Sequence, residues 1–180
     1  VLLHDVGKSQ TFRQTDRIRF KDHDTVGARI SEEICERLNM PGDEKRRILD
    51  IVKNHMKFRE VKKMRESTLK RLLREPFFPE LIELHRIDRL AGQGDLETYE
   101  FCLEQLALTG DDGLHPKRSI DGNALTEMGF EPGPVFQEIL TFIENEQLEG
   151  RALTRSEAEV FIIEQFGNLR TRETKRPKDD

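Results

Sequence analysis

Apolar residues recur at three- and four-residue spacing along most of this chain, the period of an amphipathic helix. Val26, Ile30, Ile34 and Leu38 predict a helix over 24–38. Ile48, Ile51, Val52 and His55 predict a second, opened by Asp43 as its N-cap. Leu81, Ile82, Leu84, Ile87, Leu90 and Ala91 mark a third, which Gly92-Gln93-Gly94 breaks. Asp95 caps a fourth, carrying Tyr99, Cys102, Leu103 and Leu106. Asp121 to Gly129 reads as a short capped helix. Val135, Phe136, Ile139, Leu140, Phe142, Ile143 and Leu148 set a long one that Gly150 ends. Thr154 and Glu157 form a capping box for a last helix through Val160, Ile163 and Phe166. No strand pattern of any length and no internal repeat is visible, so the predicted fold class is all-α.

Polar and breaker stretches supply the punctuation. The apolar start is expected to end a helix that Gly7 helps to stop, and Ser9–Asp22 to form a loop running over the candidate site around His4-Asp5. Thr109-Gly-Asp-Asp-Gly113, with Pro116 behind it, is the clearest boundary. It separates a helical domain over 1–112 from a small helical domain over 118–168. A tail over 169–180 is expected to be disordered, because Arg170 to Asp180 is charged and carries no apolar residue. Val1 is not Met and the chain opens inside an apolar run, so it reads as the C-terminal piece of a longer protein.

Composition narrows the function classes. Charged residues make up 36% of the 180 and hydrophobic ones 35%, with no Trp, which suits helices with thin apolar stripes. The net charge of −5 excludes a chain that binds nucleic acid through overall basicity, so any such contact needs a local patch. Lys57, Arg59, Lys62, Lys63, Arg65, Lys70, Arg71 and Arg74 supply one, opposed only by Glu60 and Glu66. Such a run is either a solvated helix face or a track for phosphates. Cys35 and Cys102 form no short motif and read as reduced core thiols of a cytoplasmic protein. No apolar run approaches the roughly 20 residues that span a bilayer, so no membrane partner is expected.

The candidate chemistry begins at His4-Asp5. An imidazole nitrogen beside a carboxylate offers two donors to a divalent metal, and Lys8, one turn on, reaches an anion held there. The plain alternative is a buried helix end with a polar stop. His23, His55 and Asp88 follow at wide spacing. A lone His on an apolar stripe is usually a satisfied core histidine, and Asp88 lies between Arg86 and Arg89, where an ordinary ion pair would account for it. Gly27-Ala28 allows a close helix approach. Gly133-Pro134 either sets a helix start or offers free backbone N–H groups to a phosphate.

Val1-Leu-Leu-His-Asp-Val-Gly-Lys8, with His23, His55 and Leu84-His-Arg-Ile-Asp88 in that order, resembles the signature of HD-domain metal-dependent phosphohydrolases. The family's first His is not in this chain. The tail sharpens the likeness. Asp121-Gly-Asn-Ala-Leu, Met128-Gly-Phe-Glu-Pro-Gly-Pro134, Gln147-Leu-Glu-Gly150 and Thr154-Arg-Ser-Glu-Ala158 resemble the C-terminal RNA-binding region of bacterial tRNA nucleotidyltransferases of the poly(A) polymerase superfamily. Many of those carry an HD domain just before it. The resemblance implies that His4, Asp5 and Asp88 hold a divalent metal such as Mn, Ni, Mg or Fe. His23 and His55 would hold a second ion or bind phosphate, and Lys8 would neutralise phosphate charge. Implied substrates are 2′,3′-cyclic phosphates, nucleoside 2′-phosphates or related RNA ends. The implied partner is tRNA or an RNA 3′ end, met by Lys57, Arg59, Lys62, Lys63, Arg65, Lys70, Arg71 and Gly133. The nucleotide-adding head of such enzymes is absent here, so this polypeptide is not expected to add nucleotides. Two other readings stand beside this one: an inactive RNA-binding scaffold, and a stand-alone HD nucleotidase or nucleotide-signal hydrolase.

Overall fold

A computed structural model describes residues 2–92, 94–151 and 154–170. The described residues form nine α-helices and a single two-stranded hairpin, an all-α architecture. None of the helices is long and apolar enough to cross a membrane. The expected disordered tail lies outside the described residues, except that Arg170 donates to the Met128 carbonyl.

The chain divides into two compact units, one of residues 1–64 and 72–108, the other of 65–71 and 109–180. In the first, residues 2–7 form hydrogen-bonded turns (Val6 N–H to Leu3 O, 3.1 Å; Lys8 N–H to Asp5 O, 2.9 Å), not the helix end expected there. A one-turn helix α1 (Lys8–Thr11) follows, then strands β1 (Phe12–Gln14) and β2 (Ile18–Phe20), paired antiparallel. Gly7 does not stop a helix. It precedes α1 with ordinary right-handed angles, and its lack of a side chain serves close packing: a Cβ there would lie 2.0 Å from the His23 carbonyl oxygen and 2.6 Å from the Gly27 nitrogen.

Helix α2 (His23–Arg37) buries His23, Gly27, Ser31 and Cys35, one side chain per turn. The apolar stripe of Val26, Ile30 and Ile34 is only half-buried beside this face, and Leu38 is exposed. The reason is separation: small side chains admit the neighbouring backbone, and Gly27 meets both Gly7 and Val52 of α3 (Gly42–Asn54). Asp43 sits in the first turn of α3 rather than capping it, because the chain enters through extended Pro41. Two 3-10 turns (His55–Arg59, Val61–Lys63) lead on. Helix α5 (Phe78–Ala91) closes the core with Phe78, Leu81, Ile82 and Leu84 buried near Phe58. Asp95 accepts from the Glu97 N–H at the start of α6 (Glu97–Leu114), where Cys102 is fully buried.

Helix α6 is broken at Gly110, whose φ of 61° with ψ of 176° is open essentially to glycine alone. The second unit continues with α7 (Gly122–Glu127), capped by Asp121, then α8 (Pro134–Leu148) and α9 (Arg155–Phe166), opened by the Thr154–Glu157 capping box. Its core is Ile120, Leu125, Phe130, Ile139, Ile143 and Ile162 with smaller neighbours. On α9 the buried residues are Ala158 and Ile162, while Val160 and Ile163 are half-exposed, a face turned by one residue from the expected stripe. Residues Glu66–Arg71 of α4 (Glu66–Leu73) belong to this unit: Glu149 accepts from the Ser67 N–H, Lys70 donates to the Leu148 carbonyl, and Arg71 pairs with Glu144.

Candidate metal centre

Four segments of the first unit bring the candidate residues together. The N-terminal turns carry His4 and Asp5, pressed against α2 through the Gly7–Gly27 contact. Asp22, in the left-handed conformation (φ 59°), turns the chain so that α2 starts with His23 buried. His55 lies at the C-terminal end of α3, and Asp88 in the last turns of α5.

The Nε2 atoms of His23 and His55 are 3.1 Å apart, and Asp5 Oδ1 lies 3.4 Å from the first and 3.9 Å from the second. On their far sides, His23 Nδ1 meets the Phe20 carbonyl at 2.8 Å and His55 Nδ1 the Val52 carbonyl at 2.6 Å. A carbonyl only accepts, so both Nδ1 atoms carry the proton and both Nε2 atoms present lone pairs to each other and to a carboxylate. A proton relieves one such pair, whereas a divalent cation satisfies all three donors. Donors about 2.1 Å from one ion stand roughly 3.0–3.4 Å apart at octahedral or tetrahedral angles, a range that holds two of the three separations, while the Asp5–His55 pair at 3.9 Å is wider. Asp5, His23 and His55 are thus a fitting trio for a metal. His4 Nε2 lies 3.3 Å from Asp5 Oδ2 and 3.8 Å from Asp88 Oδ1, so His4 and Asp88 flank it.

Electrostatics suit the trio. Burial raises the Asp5 carboxyl, but the hydrogen bond from Lys8 Nζ (2.6 Å), the Lys8 charge and the adjacent His4 and His23 rings outweigh it and hold Asp5 below the usual carboxylate range. His55 is held below the usual imidazole value by burial first, then by neighbouring His23 and His4, which keeps its lone pair available. Asp88 makes no ion pair with its sequence neighbours: Arg86 binds Glu83 and Arg89 binds Asp95.

The trio opens into a cleft of about 530 Å³ lined also by Lys8, Arg17, Ile18, Arg19, Phe20, Lys21, Met56, Arg59 and Asp88. Five cationic side chains against two carboxylates make it basic in an acidic chain. The wall from Arg17 to Lys21 belongs to the segment expected to run over the site, but none of its residues was singled out from the sequence. Its only signal was the density of basic residues in a segment taken for a loop.

The basic stretch after His55 does not form one surface. Arg59 faces the cleft and Lys57 is exposed nearby, while Lys62 pairs with Glu97 and Lys63 with Glu60. Arg65, Lys70 and Arg71 belong to the second unit, where Lys70 also pairs with Glu66. Gly133 is extended (φ 171°) and precedes α8 without a side-chain cap.

Comparison with known proteins agrees with this geometry. The HD-domain family matches residues 1–93. The A-adding tRNA nucleotidyltransferase of Deinococcus radiodurans is 31% identical over 175 residues, 89% of this chain and 39% of that protein. The CC-adding tRNA nucleotidyltransferase of Thermus thermophilus is 31% identical over 169 residues, 90% of this chain and 38% of that protein. A multifunctional CCA protein of Acinetobacter baumannii is 34% identical over 73 residues, 41% of this chain and 18% of that protein. The chain therefore spans about two-fifths of the length of the first two relatives. No solved structure matches. With the HD family matched across half its length and the His-Asp pair at the centre of the cleft, this chain belongs to the HD-domain family, and its curated relatives are tRNA nucleotidyltransferases.

Proposed function

We propose that this chain is the HD and RNA-engaging portion of a tRNA nucleotidyltransferase-like protein, and that its cleft hydrolyses phosphoesters at RNA 3′ ends with a divalent metal. The observation that carries the reading is the Asp5–His23–His55 trio at the floor of a cleft walled by cations. Asp5, His23 and His55 hold the ion, with His4 and Asp88 as flanking ligands. A bound divalent ion supplies Lewis acidity toward a phosphoryl oxygen and lowers the pKa of water. Lys8 fixes the Asp5 carboxylate and brings positive charge to the phosphate. Arg17 and Arg59 orient the phosphate oxygens. The Phe20 and Val52 carbonyls keep both Nε2 lone pairs turned into the cleft. A 2′,3′-cyclic phosphate or nucleoside 2′-phosphate end fits this charge pattern, tRNA is the partner that the relatives suggest, and the cytoplasm is the location.

Manganese titration of the chain, followed by electron paramagnetic resonance and by 2′,3′-cyclic AMP hydrolysis, tests the reading. Binding and turnover are expected in the wild type and lost in Asp5→Ala. Turnover that survives Asp5→Ala would place the chemistry elsewhere. For RNA contact, Lys57→Glu with Arg59→Glu is expected to weaken tRNA binding and flatten its salt dependence. These two make no ion pair with any described residue.

A further inference from the structure

The hairpin at the cleft wall has a composition that its own fold does not explain. Its register pairs Phe12 with Phe20, Arg13 with Arg19 and Gln14 with Ile18. Side chains alternate across a strand, so Phe12, Gln14, Ile18 and Phe20 share one face. Three of these four side chains are apolar, and two of the three are exposed: Phe12 is 53% and Ile18 55% exposed, Phe20 is half-buried, and the Phe12 and Phe20 rings stand 5.9 Å apart. The other face sets Arg13 directly opposite Arg19, a like-charge pair that destabilises a two-stranded ribbon, relieved only in part by the Asp16 carboxylate bound to Arg19. A two-stranded ribbon is marginal in itself. This one spends both faces on groups that suit an outside ligand.

The ligand's chemistry follows from the neighbours. Ile18 and Phe20 line the cleft together with Arg17, Lys21 and Arg59, which make no ion pair with any described residue. Lys8 Nζ stands 5.6 Å from the Phe20 ring centre while binding Asp5 at the metal trio. An apolar, aromatic surface is thus continuous with a basic cleft that ends on metal donors. A planar base joined through a sugar to a phosphate has that sequence of properties. An acidic peptide matches the cations but offers no flat ring for the aromatic face.

We propose that the hairpin Phe12–Phe20 is the base-recognition element of the cleft, taking the base of a terminal nucleotide against Phe20, Ile18 and Phe12 while Arg17, Lys21 and Arg59 hold the phosphate. The inference rests on the phosphoester reading above and adds that the substrate must carry a base. The positioning is sequence-tolerant, because every base has a π-face.

The test compares two probes on the 180-residue chain loaded with manganese: 2′,3′-cyclic AMP, and ribose 2′,3′-cyclic phosphate, which lacks the base. The wild type is expected to bind the nucleotide at least about tenfold more tightly, the size of one base–aromatic stack. Phe20→Leu keeps apolar bulk and removes the ring, and Phe12→Ala shortens the surface. Each is expected to bring the ratio of the two affinities toward one with circular dichroism unchanged, and Phe12→Ala to do so with manganese affinity intact. Phe12→Trp is expected to keep or raise the ratio, which a merely structural role for the hairpin would not do. Equal affinities for the two probes in the wild type, or a ratio unmoved by Phe20→Leu, overturn the base-recognition role while leaving the metal reading intact. Failure of the wild type to bind manganese or either probe overturns both.

Discussion

Gly7→Ala is the sharpest single perturbation the structure offers. Gly7 has ordinary right-handed angles, so alanine brings no backbone strain, and the whole effect comes from one added methyl group. That methyl would sit 2.0 Å from the His23 carbonyl oxygen, where ordinary contact begins near 3.4 Å. The N-terminal turn and the start of α2 must therefore separate by about 1.4 Å, and both clashing atoms are backbone, which cannot rotate aside. Overpacking of this kind costs about 1–3 kcal/mol, and a backbone clash belongs at the upper end. The consequence for the site is larger. His4 and Asp5 ride on the moving turn and His23 on the fixed helix, while a working site holds its groups within about 0.5 Å. Manganese affinity is expected to fall at least about tenfold, together with a drop in the urea midpoint. Gly42→Ala is the control, since nothing lies within 4 Å of its added methyl group, and it is expected to leave metal binding unchanged. A Gly7→Ala protein with wild-type manganese affinity and wild-type midpoint would refute the reasoning.

Other outcomes follow from single contacts. His55→Gln removes one Nε2 donor and is expected to reduce manganese affinity by about 100-fold or more in the same titration, beyond the effect typical of outer-shell partners. Leu125→Ala empties a fully buried position in the second unit and is expected to cost about 2–5 kcal/mol in urea unfolding. The Cys102 thiol is pushed up to about 11 by burial, so a disulfide reagent at pH 8 is expected to label it only as fast as the chain unfolds; immediate labelling in native buffer would contradict its burial. Glu149 is held below its ordinary value of 4.5 first by the Ser67 hydroxyl and then by the Ser67 N–H. A depressed carboxyl contributes stability above its ordinary value and loses it as pH falls through the lowered one. The gap in urea stability between wild type and Glu149→Gln is therefore expected at pH 7 and to close in acid, with a pH-independent gap counting against the interaction.

Much of the helical layout was legible because helix period and capping are local. The Thr154–Glu157 box, the Asp121 cap and the helices α2, α3 and α5 to α9 needed only neighbours a few residues apart, whereas α4 was read only as part of a basic stretch. What misled was orientation. On α2 the apolar stripe lies beside the buried face, since close backbone approach selects Gly27, Ser31 and Cys35 over larger side chains. The hairpin was invisible because its strands have three residues each, too few for an alternation to register. Gly7 was taken for a helix stop, since a contact with residues 23 and 27 leaves no mark in local sequence. Within the candidate site, the ordered His4, Asp5, His23, His55 and Asp88 stood out by residue type. Which three lie closest did not, because that depends on the turn at Asp22 and on where α3 ends.

The division of the chain also bears on where it can be cut. Residues 65–71 pack with the second unit although they lie inside the stretch matched by the HD family. Lys70 and Arg71 find their partners at Leu148 and Glu144, and the Ser67 N–H finds Glu149. A cut at residue 108 would take these partners from the Ser67 N–H and Arg71 and leave Lys70 with Glu66. The bounds of the family match and of the packing unit therefore do not coincide, and a piece trimmed to either one would lose contacts that the other keeps.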